Sequence, residues 1–266
     1  MRMKPAITGT DVVLAYGASV AIAESSFLIP AGSLTAVIGP NGSGKSTLLN
    51  GISGLLGPRS GSIQIHDDAR VSYVLQATKV NDALPVTVRE IVGMGLYPTT
   101  GSFRRMTSDQ KGAIDRAMAT VGVADMQEQH LHELSGGQQQ RVFLAQGIVQ
   151  PHDVLLLDEP LTGLDIPSAQ AIDDVIHHTN EAGCTVVLTT HDLVEASNAD
   201  HVVLLSGRVV AYGPPDQVLT AENLTAAYGQ SIVHIEDGGI FIDDPAHIPV
   251  PGRHVHQERS MGSEEG

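Results

Sequence analysis

Residues 39–47 read Gly-Pro-Asn-Gly-Ser-Gly-Lys-Ser-Thr, a combination suited to binding phosphate groups. Glycines let the backbone curl until successive N–H groups converge on a phosphate, and a helix starting at Lys45 would add its positive amino end. Lys45 would contact β- and γ-phosphate oxygens, and the Ser46 hydroxyl would bind Mg²⁺. A glycine-rich turn beside a lysine is the simpler alternative, but the strand and helix patterns on either side favour a nucleotide loop. We therefore predict ATP and Mg²⁺ as ligands, with a loop formed by Gly39, Pro40, Asn41, Gly42, Ser43, Gly44, Lys45, Ser46 and Thr47.

Two carboxylates, Asp158 and Glu159, directly follow the apolar run 154–157. The carboxyl end of a parallel sheet is the usual edge for ligand chemistry, and this order is the Walker B arrangement. Asp158 would hold Mg²⁺, and Glu159 would polarise the water that attacks the γ-phosphate, because phosphoryl transfer depends on positioning and charge stabilisation. The alternative is an ordinary strand followed by an acidic helix cap.

Residues 134–141 read Leu-Ser-Gly-Gly-Gln-Gln-Gln-Arg, and the Ser-Gly-Gly turn precedes a helix predicted over 138–149. Such a turn offers a second helix terminus to an anion, although a solvent-facing helix cap has the same residues. In this motif the chain resembles the ABC-type ATPases, whose signature is LSGGQ, and the resemblance spans about residues 11–229. It implies a head-to-tail homodimer in which each signature closes over ATP held by the phosphate loop of the other copy. The implied nucleotide contacts are Ser135, Gly136, Gly137 and Gln138.

Four further positions match the family in the right order, and their roles are implied by the resemblance. Gln76 matches the glutamine that reaches toward Mg²⁺ and the attacking water, where the membrane partner docks. Asp165 matches an aspartate that crosses to the opposite subunit. His191 matches the switch histidine at the γ-phosphate, and Tyr16 matches the aromatic residue that stacks on adenine. Taken singly, each residue type is more typical of a solvated surface or a packed core.

The catalytic set implied by these matches is Lys45, Gln76, Glu159 and His191, and the Mg²⁺ set is Ser46, Gln76 and Asp158. Short β-branched runs alternate with helical periodicity around these residues, which predicts an α/β fold with a mostly parallel sheet. Buried strands are expected at 34–38, 71–75, 154–157, 185–189 and 201–205. A helix capped by Thr107 and another beginning near Pro167 are expected between them.

We predict one ABC-type ATPase domain over 1–235, with the P-loop NTPase core of the family. It would contain an N-terminal antiparallel β subdomain and a helical subdomain at about 85–150 that carries the signature. From residue 236 the sequence loses periodicity and gains Asp, Pro, Gly and His, so a flexible tail is expected over 236–266. His234 lies just before the tail, and His247, His254 and His256 lie in it. Imidazole side chains are suitable zinc ligands, although a solvated tail is the stronger interpretation.

Charge and composition indicate in which compartment the protein works and which kinds of partner it binds. Thirty acidic residues against fifteen Lys and Arg give a formal net charge of −15, which argues against nucleic acid as a ligand. The single Cys184 fits a reducing compartment, and we expect no secretory signal. The apolar runs are far below the ~20 residues that cross a bilayer, so any membrane role requires a partner. We therefore expect a cytoplasmic protein, held at the inner face of the membrane by permease subunits and serving an extracytoplasmic substrate-binding protein.

The residues around the glutamine favour a substrate class. Segments 73–76, 82–88 and 92–95 look like the branch that imports zinc, manganese or iron chelates. Leu75 stands where the family commonly has proline, and Gln139 stands where it commonly has arginine. These two differences leave the identity of the transported substrate open. The leading hypothesis is thus the motor of a metal-cation importer. Alternatives are import of iron chelates or another solute, a soluble ABC-type ATPase such as an iron–sulfur assembly ATPase, and a catalytically inactive subunit.

Overall fold

The computed structural model describes residues 4–75, 85–97, 106–229, 233–236 and 239–242. Its strands are β1 (Pro5–Tyr16), β2 (Ser19–Pro30), β3 (Leu34–Ile38), β4 (Ser60–Ile65), β5 (Val71–Val74), β6 (Val154–Leu157), β7 (Thr185–Thr190), β8 (His201–Leu205), β9 (Val209–Gly213), β10 (Val233–Glu236) and β11 (Gly239–Ile242). Its helices are α1 (Lys45–Ile52), α2 (Val88–Met94), α3 (Ser108–Thr120), α4 (Gly136–Ile148), α5 (Ile166–Glu181), α6 (Leu193–Ser197), α7 (Pro215–Val218) and α8 (Ala221–Tyr228).

A six-stranded sheet in the order β5-β6-β7-β3-β8-β9 forms the centre of the molecule. All neighbouring pairs are parallel except β8 and β9. Every residue of β3, β6, β7 and β8 is buried, which explains why β3, β6 and β8 read mainly as apolar runs in the sequence. The five predicted strands are confirmed; the second ends one residue earlier, at Val74, and the fourth one residue later, at Thr190.

The predicted N-terminal antiparallel subdomain is a three-stranded sheet in the order β2-β1-β4. Its buried residues share one apolar cluster with α1 and one face of the central sheet. Phe27 lies across Gly9, where an added Cβ would be 2.2 Å from the ring, so this glycine makes room for the aromatic side chain. The helix that follows the phosphate loop is therefore packed between two sheets.

Helices α2, α3 and α4 lie in the region 85–150 and pack on one another. Thr107 and Gln110 form the predicted capping box of α3, and Ile114, Ala117 and Met118 are its buried face. Helix α4 touches the central sheet closely, because a Cβ on Gly147 would lie 2.3 Å from Val74. This contact ties the helix behind the Ser-Gly-Gly turn to the edge strand β5.

An antiparallel hairpin of β10 and β11 lies at the start of the segment assigned to a tail. Strand β11 falls at 239–242, within the segment 236–266 for which the sequence predicts a flexible tail; the boundary between domain and tail stays a prediction. The residues 239–242 read Gly-Ile-Phe-Ile, which favours a strand. His234 is in β10, whereas His247, His254 and His256 lie outside the described residues.

The fold predicts a pH-dependent stability centred on His201. This side chain is 3 % exposed at the start of β8, its Nε2 lies 2.9 Å from the Leu28 carbonyl oxygen, and burial lowers its pKa. Below about pH 6.5, the ordinary histidine pKa, the unfolded chain takes up a proton that the folded chain resists, so stability is lost as the pH falls. In denaturant titrations, His201→Gln should therefore lose less unfolding free energy than wild type between pH 7.5 and 5.5. The exposed His178→Gln should follow wild type, and parallel curves for all three proteins would contradict the expectation.

Candidate nucleotide-binding site

The loop between β3 and α1 has the backbone that its glycines predict. A Cβ on Gly39 would lie 2.1 Å from the carbonyl oxygen of Leu205, so only glycine allows β8 this close. Gly44 has φ 103° at the start of α1, and a Cβ there would lie 2.8 Å from Ile22. Gly39 is required because a side chain would not fit. Gly44 is required both for space and because its φ angle is unfavourable for other residues.

The turn between β8 and β9 supports this loop from behind. The Gly207 N–H donates to the Ser43 carbonyl oxygen over 3.0 Å, and the Gly207 carbonyl oxygen accepts from the Ala23 N–H over 2.8 Å. Inside the loop, the Ser43 N–H donates to the Pro40 carbonyl oxygen over 3.0 Å. The loop is therefore held by the β8–β9 turn, which in turn is bonded to β2 of the antiparallel sheet.

Lys45 is 6 % exposed and its ammonium lies against the loop it would serve. Its Nζ donates to the Gly39 carbonyl oxygen over 2.8 Å and to the Pro40 carbonyl oxygen over 3.4 Å. A compact, flexible ammonium can exchange such carbonyl partners for phosphate oxygens.

Two residues predicted to bind Mg²⁺, Ser46 on α1 and Asp158 directly after β6, are in direct contact. The Ser46 hydroxyl donates to Asp158 Oδ1 over 2.9 Å, and Asp158 is 1 % exposed. A hydroxyl beside a carboxylate is a hard oxygen donor set of the kind Mg²⁺ prefers, so these residues fit the ion. The third predicted ligand, Gln76, lies outside the described residues.

Glu159 lies next to the loop on an unusual backbone. It lines the same pocket as residues 41–47 and has φ 49°, a left-handed conformation that glutamate rarely adopts. Its N–H donates to Thr189 Oγ1 over 2.8 Å, and that hydroxyl also donates to Asp158 Oδ1 over 2.9 Å. The sequence did not single out Thr189; the available signal is a polar residue at the buried carboxyl end of β7, two positions before His191.

The Ser-Gly-Gly turn begins α4 with a reciprocal cap. Ser135 Oγ accepts from the Gln138 N–H over 3.3 Å, and Gln138 Oε1 accepts from the Ser135 N–H over 2.8 Å. The Gln138 side chain is thus directed at its own helix cap, and its nucleotide contact stays a prediction. Gln139 Nε2, where the family commonly has arginine, donates to the carbonyl oxygens of Leu131 and Leu134 over 3.0 and 3.4 Å. The Gln139 side chain therefore stabilises the 3₁₀ turn that precedes the signature.

Asp165 lies beside this turn within the same chain. A Cβ on Gly137 would be 3.2 Å from Asp165 Oδ1 and 2.4 Å from Ser168 Oγ. A hydrogen bond with Ser168 lowers the pKa of Asp165. Asp165 and Ser135 line one pocket with Arg141, and the phosphate loop lines another, with no lining residue in common.

The two remaining predicted residues, Tyr16 and His191, do not line the pocket of the phosphate loop. Tyr16 ends β1, is 51 % exposed, and its hydroxyl accepts from Asn50 Nδ2 on α1 over 2.9 Å. Its ring is therefore beside the helix that carries the loop and is accessible to a base. His191 is exposed directly after β7, at the edge where Asp158 and Glu159 follow β6.

Comparison with known proteins identifies this arrangement. The family model described as ABC transporter matches residues 22–162, more than half of the chain. The chain belongs to the ABC transporter family. The match includes the phosphate loop, the signature turn and the two carboxylates.

Curated relatives of this ABC family member cover most of its length. The manganese transport system ATP-binding protein MntB of Listeria monocytogenes is 35 % identical over 85 % of this chain and 98 % of its own length. The zinc transport system ATP-binding protein TroB of Treponema pallidum is 38 % identical over 85 % of this chain and 88 % of its own length. A solved metal-chelate type ABC transporter in an inward-facing conformation has a chain with 26 % identity and a TM-score of 0.77, covering 90 % of this chain and 96 % of that one.

These comparisons establish the general activity. The chain is an ATP-hydrolysing subunit of an ABC transporter. The predicted α/β fold with a mostly parallel sheet is confirmed. Nucleotide-binding domains of this family bind ATP or ADP, and homologues work as dimers with membrane permeases. Among the residues that the structure describes, no helix is both long and apolar enough to span a membrane.

The geometry of the loop predicts the effect of Gly39→Ala. The added methyl group would collide with backbone of β8, which costs about 1–3 kcal/mol of strain. We expect nucleotide affinity roughly tenfold weaker or more, because the loop must shift to relieve the contact. Titration of a fluorescent ATP analogue measures this, with Gly57→Ala as the control because no atom lies within 4 Å of the Cβ position. Equal affinity for Gly39→Ala and wild type would show that the loop does not need this close approach.

Proposed function

We propose that this chain is the motor of a metal-cation importer for manganese or zinc, and that two copies bind two ATP molecules head to tail. Each ATP would be held by the phosphate loop of one copy, residues 39–47, and covered by Ser135, Gly136, Gly137 and Gln138 of the other. The observation that carries this proposal is the separation of the two motifs into different pockets of one chain. A second copy, turned head to tail, supplies the missing half of each site.

Within each site, the described contacts support distinct roles. Lys45 neutralises charge on the β- and γ-phosphates, and Ser46 with Asp158 holds Mg²⁺, as their 2.9 Å contact suggests. Mg²⁺ held by these residues would stabilise the negative charge that develops during phosphoryl transfer. Glu159 orients and polarises the attacking water from the wall of the pocket, and phosphoryl transfer then depends on alignment.

His191 and Gln76 complete the proposed catalytic set. His191 follows β7 at the same sheet edge and would contact the γ-phosphate, while Gln76 would sense the ion and the water. Asp165, beside the signature, would cross to the partner copy, and Tyr16 would stack on adenine. These roles are carried over from the family onto matching positions.

Membrane coupling follows the same proposal. ATP stabilises the closed pair by bridging two surfaces, and hydrolysis removes the bridge, which shifts the conformational equilibrium. The helical subdomain would pass this change to a permease, with the chain on the cytoplasmic face and a substrate-binding protein outside. The relatives MntB and TroB are named as ATP-binding proteins of manganese and zinc transport systems. This favours metal import over iron–sulfur assembly. A second candidate is import of a metal chelate, which the likeness to the metal-chelate type transporter favours.

Glu159→Gln should trap an ATP-bound pair, since glutamine keeps the size of the side chain but removes the carboxylate that activates water. Size-exclusion chromatography with light scattering should show a dimer in saturating ATP, with ATP turnover far below wild type. Adding Lys45→Ala should return the protein to monomer, because the nucleotide bridge is lost. Turnover equal to wild type would remove Glu159 from its role, and only monomer in saturating ATP would contradict the paired site.

The metal substrate can be tested in cells that lack this chain. Growth should fail when manganese or zinc is limiting and should recover with wild type but not with Lys45→Ala. The chain should also co-purify with its permease. Failure restricted to growth on an iron chelate would instead support the second candidate, and normal growth in all three conditions would contradict metal import.

A further inference from the structure

Thr189 lies where the two site carboxylates and the strand leading to His191 meet. It is fully buried (0 % exposed) near the end of β7, whose neighbour β6 pairs Leu157 with Leu188. The next residue pair along the two strands is therefore Asp158 and Thr189. A valine would fill this volume in a strand that already contains Val186 and Val187, so burial alone does not explain a hydroxyl group here.

The hydrogen bonds of this hydroxyl have a defined direction. The Glu159 N–H can only donate, so Thr189 Oγ1 accepts it over 2.8 Å. The hydroxyl proton is then directed to Asp158 Oδ1 over 2.9 Å, the same oxygen that accepts from Ser46. The Thr189 side chain thus binds a carboxylate oxygen of Asp158 and the backbone N–H of Glu159.

The bond to Glu159 stabilises an unfavourable backbone. Glu159 has φ 49°, and non-glycine residues in this region persist only when the surroundings hold them there. The turn aims the Glu159 side chain into the pocket of the phosphate loop instead of continuing the strand direction. Without the hydroxyl, this N–H would lose its partner at a strained position.

We propose that Thr189 is a positioning residue for ATP hydrolysis. It keeps Asp158 oriented toward Ser46 for Mg²⁺ and keeps Glu159 in the conformation that presents its carboxylate to water. This inference rests on the roles proposed above for Asp158 and Glu159. It adds β7 to the catalytic unit, so that the strand that precedes His191 also positions both carboxylates.

The test compares Thr189→Val, which removes the hydroxyl at nearly constant volume, with Thr189→Ser, which keeps it. The matched control is Thr185→Val at the other end of the same strand, where a buried threonine hydroxyl accepts the Gly32 N–H over 2.9 Å. Each purified full-length variant is assayed for ATP turnover across Mg²⁺ concentrations and for its thermal unfolding midpoint without nucleotide.

Thr189→Val should lower kcat roughly 10- to 100-fold, the scale expected from losing a hydrogen bond to a charged group. It should also raise the Mg²⁺ concentration for half-maximal rate, while KM for ATP at saturating Mg²⁺ changes little. Thr189→Ser should recover most of the rate. Thr185→Val should unfold at a similar temperature to Thr189→Val yet hydrolyse ATP like wild type.

Wild-type kcat and Mg²⁺ dependence in a folded Thr189→Val would overturn the inference, as would equal losses in Thr189→Val and Thr185→Val. If Thr189→Val does not fold, Thr189→Cys decides the question, because a thiol of similar size is only a weak donor and should show the same loss. Glu159→Gln separates the two proposals. Full turnover in Glu159→Gln refutes the proposed function, whereas low turnover there beside full turnover in Thr189→Val refutes only the role of Thr189.

Discussion

The convergence of two hydroxyl groups on Asp158 Oδ1 is the contact on which the site depends. Ser46 reaches this oxygen from α1 and Thr189 reaches it from β7, each over 2.9 Å. A buried carboxylate is costly unless its oxygens are hydrogen-bonded, so these donors make the charge tolerable where it is needed. Three elements that are far apart in sequence are thereby fixed around one atom, and a cation bound there would sit beside the phosphates held by the loop.

The surrounding fold serves to keep that contact rigid. The phosphate loop is closed from behind by the β8–β9 turn through Gly207, and Gly39 allows the β8 backbone to lie against it. On the other side, Gly147 lets α4 lie against β5, so that the signature helix is joined to the same sheet. Close backbone contacts transmit small displacements well, because packed interiors deform little. These contacts are the route by which the proposed motor would pass a change at the nucleotide to the helical subdomain.

Much of this architecture could be predicted from the sequence, for physical reasons that also explain the failures. Strands 34–38, 154–157 and 201–205 were predictable because burial on both faces leaves continuous apolar runs, and the cap at Thr107 was predictable because it is local. Thr189 was missed because its partners are thirty-one and thirty residues away in sequence, and only the strand pairing brings them together. Strand β11 was missed because four residues are too few to show a period.

The central claim is that each ATP is shared between two chains, and defined mixed dimers test it most directly in the Glu159→Gln background. One chain carries Lys45→Ala and the other carries Ser135→Arg, the two bear different purification tags, and bound ATP is counted per dimer. Shared sites leave one loop and one signature intact and opposite each other, so the mixed dimer should hold one ATP. When both substitutions are in one chain and its partner has neither, no intact site remains and the count should be zero. The reverse result, none in the first dimer and one in the second, would show that each chain binds ATP by itself and would contradict the account.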